Sequence, residues 1–179
     1  GLSVAHSIVR QHGGKIWAES GSGGASFVIL LPAGKAASLP KPAPDQEPQP
    51  GHGRILVMDD DPAIRATAQK ILTRLGYEAT FAGDGEEAIE LYRQALEVER
   101  RFDVVVMDLT VPGAMGGKEA TTRLLKLDPQ LKAIVSSGYS HDPVVTDYRR
   151  FGFVGAVSKP YEIREMSRVL ARVIKGRSG

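Results

Sequence analysis

Five short apolar runs between residues 55 and 157, separated by stretches of helical period, leave this chain few folds to choose from. The runs 55–58, 77–81, 104–107, 133–135 and 153–157 are too short for buried helices, and all but 77–81, where Glu78 and Thr80 interrupt, are largely apolar at consecutive rather than alternate positions. That pattern belongs to strands covered on both faces. Helices are predicted over 61–75, from Gly85 along a face of Ala88, Leu91, Tyr92, Ala95 and Leu96, and over 118–127, 143–151 and 162–174. The first opens on Asp61-Pro62, a side-chain cap followed by proline in the first turn, and ends at Leu75-Gly76. Strands alternating with helices predict an α/β domain with a five-stranded, doubly wound parallel sheet, whose ligands bind beyond the carboxyl ends of the strands.

Polar residues stand at those ends. Asp59-Asp60 follows the first run, Asp108 the third, Ser136 the fourth, and Lys159 closely follows the fifth. Parallel strands point the same way, so three carboxylates, a hydroxyl and an ammonium should gather at one edge. Oxygen donors in that number suit Mg2+, which takes one or two carboxylates and keeps several waters. Without a cation the carboxylates repel, and at least one should hold its proton more tightly. Taken singly, each residue has a plainer reading: a turn former, a helix cap such as Asp61, or a solvated lysine. Jointly, at successive strand ends, they point to phosphoryl chemistry at Asp108, where positioning and charge neutralisation carry most of the catalysis.

The motifs Leu56-Val57-Met58-Asp59-Asp60-Asp61, Val106-Met107-Asp108-Leu109-Thr110-Val111-Pro112-Gly113, Ile134-Val135-Ser136-Ser137-Gly138 and Ser158-Lys159-Pro160 make residues 54–176 resemble the receiver domain of bacterial two-component response regulators. The resemblance implies a flavodoxin-like fold and an acceptor Asp108 that takes phosphate from phosphohistidine and slowly hydrolyses it. It further implies Mg2+ held directly by Asp60 and Asp108, through water by Asp59, and by the backbone carbonyl of Thr110. Ser136 would bond a phosphoryl oxygen, and Lys159 would pair with the phosphoryl group or Asp108. The implied partners are a histidine kinase or a histidine phosphotransfer protein, and two copies could pair through the last helix and strand. Two departures stand out: Ala156 occupies a position where such receivers usually carry Tyr or Phe, and the loop 112–117 is one residue longer than the simplest pattern, as in receivers fused to sensor kinases.

Residues 35–53, with five prolines among polar residues from Pro40 to Pro50, are expected to be a linker. Before it, Leu2, Ala5, Ile8 and Val9 predict a short helix stopped at Gly13-Gly14, followed by strands 15–18 and 26–31 around a glycine-rich turn. So small a unit lacks a core of its own. Residues 1–34 resemble the tail of a histidine-kinase ATP-binding domain, without its magnesium and adenine motifs, so no useful ATP binding is expected. His6, His12, His52 and His141 lack the surroundings of a kinase phosphodonor. The chain is therefore expected to be the carboxyl end of a hybrid sensor histidine kinase.

A net charge of +2 gives no electrostatic case for nucleic acid, and the absence of cysteine removes disulfides, thiolate metal sites and cysteine nucleophiles. No run approaches the roughly 20 apolar residues of a membrane span, so a cytoplasmic setting is expected, with a parent that could be membrane-attached. A chain that begins Gly1-Leu2-Ser3 is read as part of something longer, and one that ends at Gly179 leaves no room for a DNA-binding domain. Two alternatives remain: a docking module without turnover, and a nucleotide or flavin enzyme of the same fold. The acidic loop after the first strand argues against the second, since it would repel phosphate in the absence of a metal.

Overall fold

The computed structural model describes residues 2–21, 24–32, 47–138 and 143–176, which fall into two units, 1–45 and 46–179. In the first, α1 (Leu2–Gln11) ends where Gly13 turns left-handed at φ 70°, and the Gly14 N–H closes back on the Val9 carbonyl at 2.9 Å. This is a glycine stop, which side chains with a Cβ make poorly. β1 (Lys15–Gly21) and β2 (Gly24–Leu30) then pair antiparallel from Lys15 opposite Leu30 to Gly21 opposite Gly24.

The second unit alternates strand and helix as expected. Its elements are β3 (Arg54–Met58), α2 (Pro62–Arg74), β4 (Glu78–Ala82), α3 (Gly85–Glu97), β5 (Val104–Asp108), α4 (Gly117–Leu127), β6 (Ala133–Ser137), α5 (Pro143–Thr146), β7 (Phe153–Ser158) and α6 (Ile163–Lys175). The five strands run parallel in the order β4-β3-β5-β6-β7. Alternate side chains of each strand feed opposite faces. Leu56, Met58, Val105, Met107 and Val135 meet Ala88 and Tyr92 of α3 and Ala120 and Leu124 of α4. Ile55, Val57, Val104, Val106 and Ile134 meet Ala68 and Leu72 of α2 and Met166 and Leu170 of α6. Two apolar layers thus clamp one sheet, and each fully buried Val, Leu or Ile contributes on the order of 1.5–3 kcal/mol.

Two local details differ from the sequence reading. The helix predicted over 143–151 is broken: α5 ends at Thr146, Asp147 leaves helical geometry at φ −125° and ψ 47°, and a separate 3-10 turn covers Tyr148–Phe151. Thr146 and Asp147 are weak helix formers, and the short remainder closes on the left-handed Gly152. Residues 35–46 of the expected linker lie outside the described residues. Its last part is held on the second unit: the Gln49 N–H donates to Ser167 Oγ at 3.0 Å, and the Gly51 N–H donates to the Leu75 carbonyl at 2.7 Å. Among the described residues, no helix is long and apolar enough to cross a membrane.

Candidate functional site

The chain leaves β3 outward to β4 and returns on the other side of β3 as β5. A crevice opens where these two strands part company, at their carboxyl ends. Asp59 directly follows β3 and is tied there by its N–H to the Ala82 carbonyl at 3.1 Å. Asp108 closes β5, with Ser136 of β6 as its register partner. Lys159 directly follows β7, and its N–H extends the ladder by bonding the Ser137 carbonyl at 3.0 Å. Sheet pairing alone therefore brings together residues 100 positions apart.

The Lys159 ammonium sits between the two buried carboxylates, 2.6 Å from Asp59 Oδ2 and 2.8 Å from Asp108 Oδ2. Asp59 Oδ1 accepts the Asp61 N–H at 3.0 Å. Its Oδ2 is fully buried and has no well-directed hydrogen bond, so the ammonium beside it acts as a counter-charge. Asp61 is a cap, as its position suggested: its carboxylate accepts the Ala63 N–H at 2.8 Å and starts α2. On the far side of the crevice α4 presses directly on the site. A Cβ on Gly117 would lie 2.4 Å from the Asp108 carbonyl oxygen, and one on Gly116 would lie 2.4 Å from that of Leu109. Both positions exclude side chains, because the atoms in the way are backbone.

Burial raises the pKa of Asp108 above the ordinary carboxylate range; the bond and charge of Lys159 oppose this, the charge of Asp59 adds to it, and the Thr110 N–H partly offsets it. Burial works against the Lys159 ammonium too, but its bonds to Asp108 and Asp59 outweigh that cost and hold its pKa above the usual lysine value. A rise in one carboxylate was expected from mutual repulsion; the rise falls on Asp108, but burial is its first cause and the charge of Asp59 a lesser one.

Asp59, Asp60 and Asp108 each offer an oxygen, and the three oxygens lie within 4.8 Å of one another. Asp60 is exposed, so its carboxylate faces water at the mouth, whereas the other two form the floor. Hard oxygen donors and a surplus of negative charge beyond the one lysine fit a small divalent cation. Thr110 lies exposed two residues beyond Asp108, within the loop that leads to α4.

Two residues of the site were not singled out from sequence. Arg65, in the first turn of α2, donates from Nη1 to the carbonyl oxygens of Asp59 at 2.5 Å and Asp60 at 3.0 Å, bracing the acidic loop from behind. A basic residue in the first turn after three aspartates was the available signal. Tyr161, two residues beyond Lys159, places its hydroxyl 2.8 Å from Ser136 Oγ. Ala156 is half-buried in β7 and packs on the α3 and α4 face, while the Tyr161 ring belongs to the cluster on the α2 and α6 face.

The model of the response regulator receiver domain matches residues 55–171. The chemotaxis protein CheY of Thermotoga maritima is 33% identical over 123 residues, which cover 68% of this chain and 98% of that protein. The sensor kinase CckA of Brucella abortus is 28% identical over 185 residues; the match takes in 98% of this chain, which spans only 19% of that kinase. Among solved structures, the response regulator TrrA of Thermotoga maritima in complex with Mg2+ and BeF is 29% identical, with a TM-score of 0.59 over 68% of this chain and 98% of that one.

Proposed function

The chain belongs to the response regulator receiver domain family, and from that premise we propose that Asp108 is its phosphoacceptor. The observation that carries this is the position of Asp108: last in β5, beside Ser136, with its carboxylate on the Lys159 ammonium at the crevice between β3 and β5. Receipt of phosphate by a carboxylate is the activity that such a module performs, and the proposal concerns which residues perform it here.

An Asp108 oxygen bonds to phosphorus as the bond from phosphorus to the donor ring nitrogen breaks; the donor's other ring nitrogen carries a proton, so the leaving group is neutral imidazole and the product an acyl phosphate. Water later attacks phosphorus and restores the carboxylate. Lys159 holds Asp108 in place before transfer and then pairs with the charge on the phosphoryl group, while the Ser136 hydroxyl donates to a phosphoryl oxygen. Asp60 and Asp108 would hold Mg2+ directly, with Asp59 in an outer role and the Thr110 carbonyl completing the protein's set. The ion, when bound, supplies neutralisation of the charge on the incoming phosphoryl group. The buried Asp59 supports its outer role, since its oxygens already face Lys159 and the Asp61 amide.

The donor is the phosphohistidine of a kinase or a phosphotransfer protein. The match to a sensor kinase takes in nearly all of this chain, residues before the receiver included, and supports a hybrid-kinase parent, in which 1–34 would be the tail of the ATP-binding part and 35–53 a linker; a cytoplasmic receiver is part of the same proposal. Incubation with Mg2+ and acetyl phosphate or a phosphorylated histidine donor tests the assignment. Wild type should acquire base-labile phosphate and Asp108→Asn none, and equal labelling of the two would refute it.

A further inference from the structure

Behind the carboxylates two buried hydroxyls face each other, Ser136 Oγ and Tyr161 Oη, 2.8 Å apart. Burying either without a partner would cost free energy, and together they satisfy one another. The direction of this bond matters for chemistry. Ser136 has a single hydroxyl proton, and its rotor has no fixed preference. If Ser136 donates to Tyr161, that proton is turned away from Asp108. If Tyr161 donates, the serine oxygen is the acceptor and its own proton is free to point at the acceptor carboxylate and whatever is bound there.

The surroundings favour the second direction. Ser136 is the register partner of Asp108, so a serine proton turned that way meets a carboxylate, whereas the phenol bonds the serine. Burial, with help from the negative charges of Asp59 and Asp108, raises the Tyr161 pKa far above the working range, so the phenol keeps the proton it must donate. Its ring is fixed in the apolar layer on the α2 and α6 face, which leaves the hydroxyl little freedom to turn elsewhere. Phe at this position would fill the same space and lose only the bond.

We propose that Tyr161 is a positioning residue for phosphoryl transfer: its hydroxyl donates to Ser136 Oγ and thereby aims the Ser136 proton at a phosphoryl oxygen on Asp108. This rests on Asp108 as the acceptor and Ser136 as a phosphoryl-binding hydroxyl. A donor already pointed at developing charge needs no reorganisation at the moment of reaction. The contact also gives the α2 and α6 face a direct link to the phosphoryl group, on the side of the sheet away from Ala156.

A double-mutant cycle on the full chain tests it, with Mg2+ and acetyl phosphate as the phosphoryl source and the initial rate of acyl phosphate formation as the readout. Tyr161→Phe should slow the reaction roughly 2- to 10-fold, the range of one net hydrogen bond, without altering Mg2+ affinity. In the Ser136→Ala background the same change should have no further effect, whereas in Ser136→Thr, which keeps a hydroxyl, it should again slow the reaction. An unchanged rate in Tyr161→Phe, or the same fold-loss with and without the serine, overturns the proposal. A second measurement does not depend on substituting Tyr161. In wild type the Tyr161 ring resonances should shift when beryllofluoride and Mg2+ bind, and the shift should vanish in Ser136→Ala; a resonance that stays put, or moves equally in both, also overturns it. Labelling of Asp108→Asn in the same assay would instead identify a wrong acceptor.

Discussion

The two units of this chain have comparable secondary structure and very different interiors. In the receiver unit every strand of the sheet sends side chains into a packed layer, and Ile55, Leu56, Val57 and Met58 are fully buried. In the amino-terminal unit a helix stops and a hairpin pairs in regular register, yet Phe27, Ile29, Leu30 and Leu31 each remain at least half exposed, and of its described apolar side chains only Val9 is buried. Local signals such as glycine stops and strand pairing are sufficient to set the shape of a segment. Precise placement of chemistry needs the core: the Asp108, Asp59 and Lys159 contacts stand on three strands locked by two apolar layers.

The sharpest contrast is chemical. Asp108→Asn should remove all base-labile phosphate from the chain, whereas Trp17→Ala in the amino-terminal unit should leave the labelling rate within about 2-fold; a large effect of Trp17→Ala would break the separation. Stability should divide in the same way. Leu170→Ala in the α2 and α6 layer should cost about 2–5 kcal/mol by denaturant unfolding, and Ile29→Ala no more than about 0.5 kcal/mol. Within the receiver, Gly117→Ala tests how closely α4 is pressed on the site. Its new Cβ would meet the Asp108 carbonyl backbone, so a loss of about 1–3 kcal/mol together with slower labelling is expected.

The smallest effect concerns charge. The folded state holds the Asp108 proton more tightly than the unfolded chain does, because burial raises its pKa. A raised value favours folding while the group is protonated, and that advantage is lost as pH rises through the folded pKa. At neutral pH without Mg2+ the ionised Asp108 therefore opposes folding. Asp108→Asn should raise Tm by about 2–4 °C there, and the gain should shrink as pH falls into the ordinary carboxylate range. A Tm that falls at neutral pH would show that the Lys159 contact outweighs burial.

Much of this was legible in the chain. Short apolar runs marked each receiver strand to within a residue or two, and their order placed Asp59, Asp60, Asp108, Ser136 and Lys159 at one edge. Periodicity reads such elements because burial imposes it. The break at Asp147 was not legible, since Val144, Val145, Tyr148 and Phe151 keep an apolar pattern that a continuous helix would share. Arg65 and Tyr161 escaped for another reason. Each acts through an atom whose partner is fixed by folding, a loop carbonyl in one case and a serine hydroxyl on another strand in the other. Tyr161 reads simply as an apolar residue after Pro160, and its hydroxyl matters only because β6 ends where it does.

The ammonium wedged between two aspartates has one more consequence. Three carboxylates against one lysine leave a surplus of two negative charges, the amount that one divalent ion cancels. Without Lys159 the surplus would be three, and a single such ion would leave the site short of neutral. Lysine therefore matches the valence of the pocket to one dication, and replacing it by methionine should make cation uptake steeper in ionic strength while leaving the number of carboxylates unchanged.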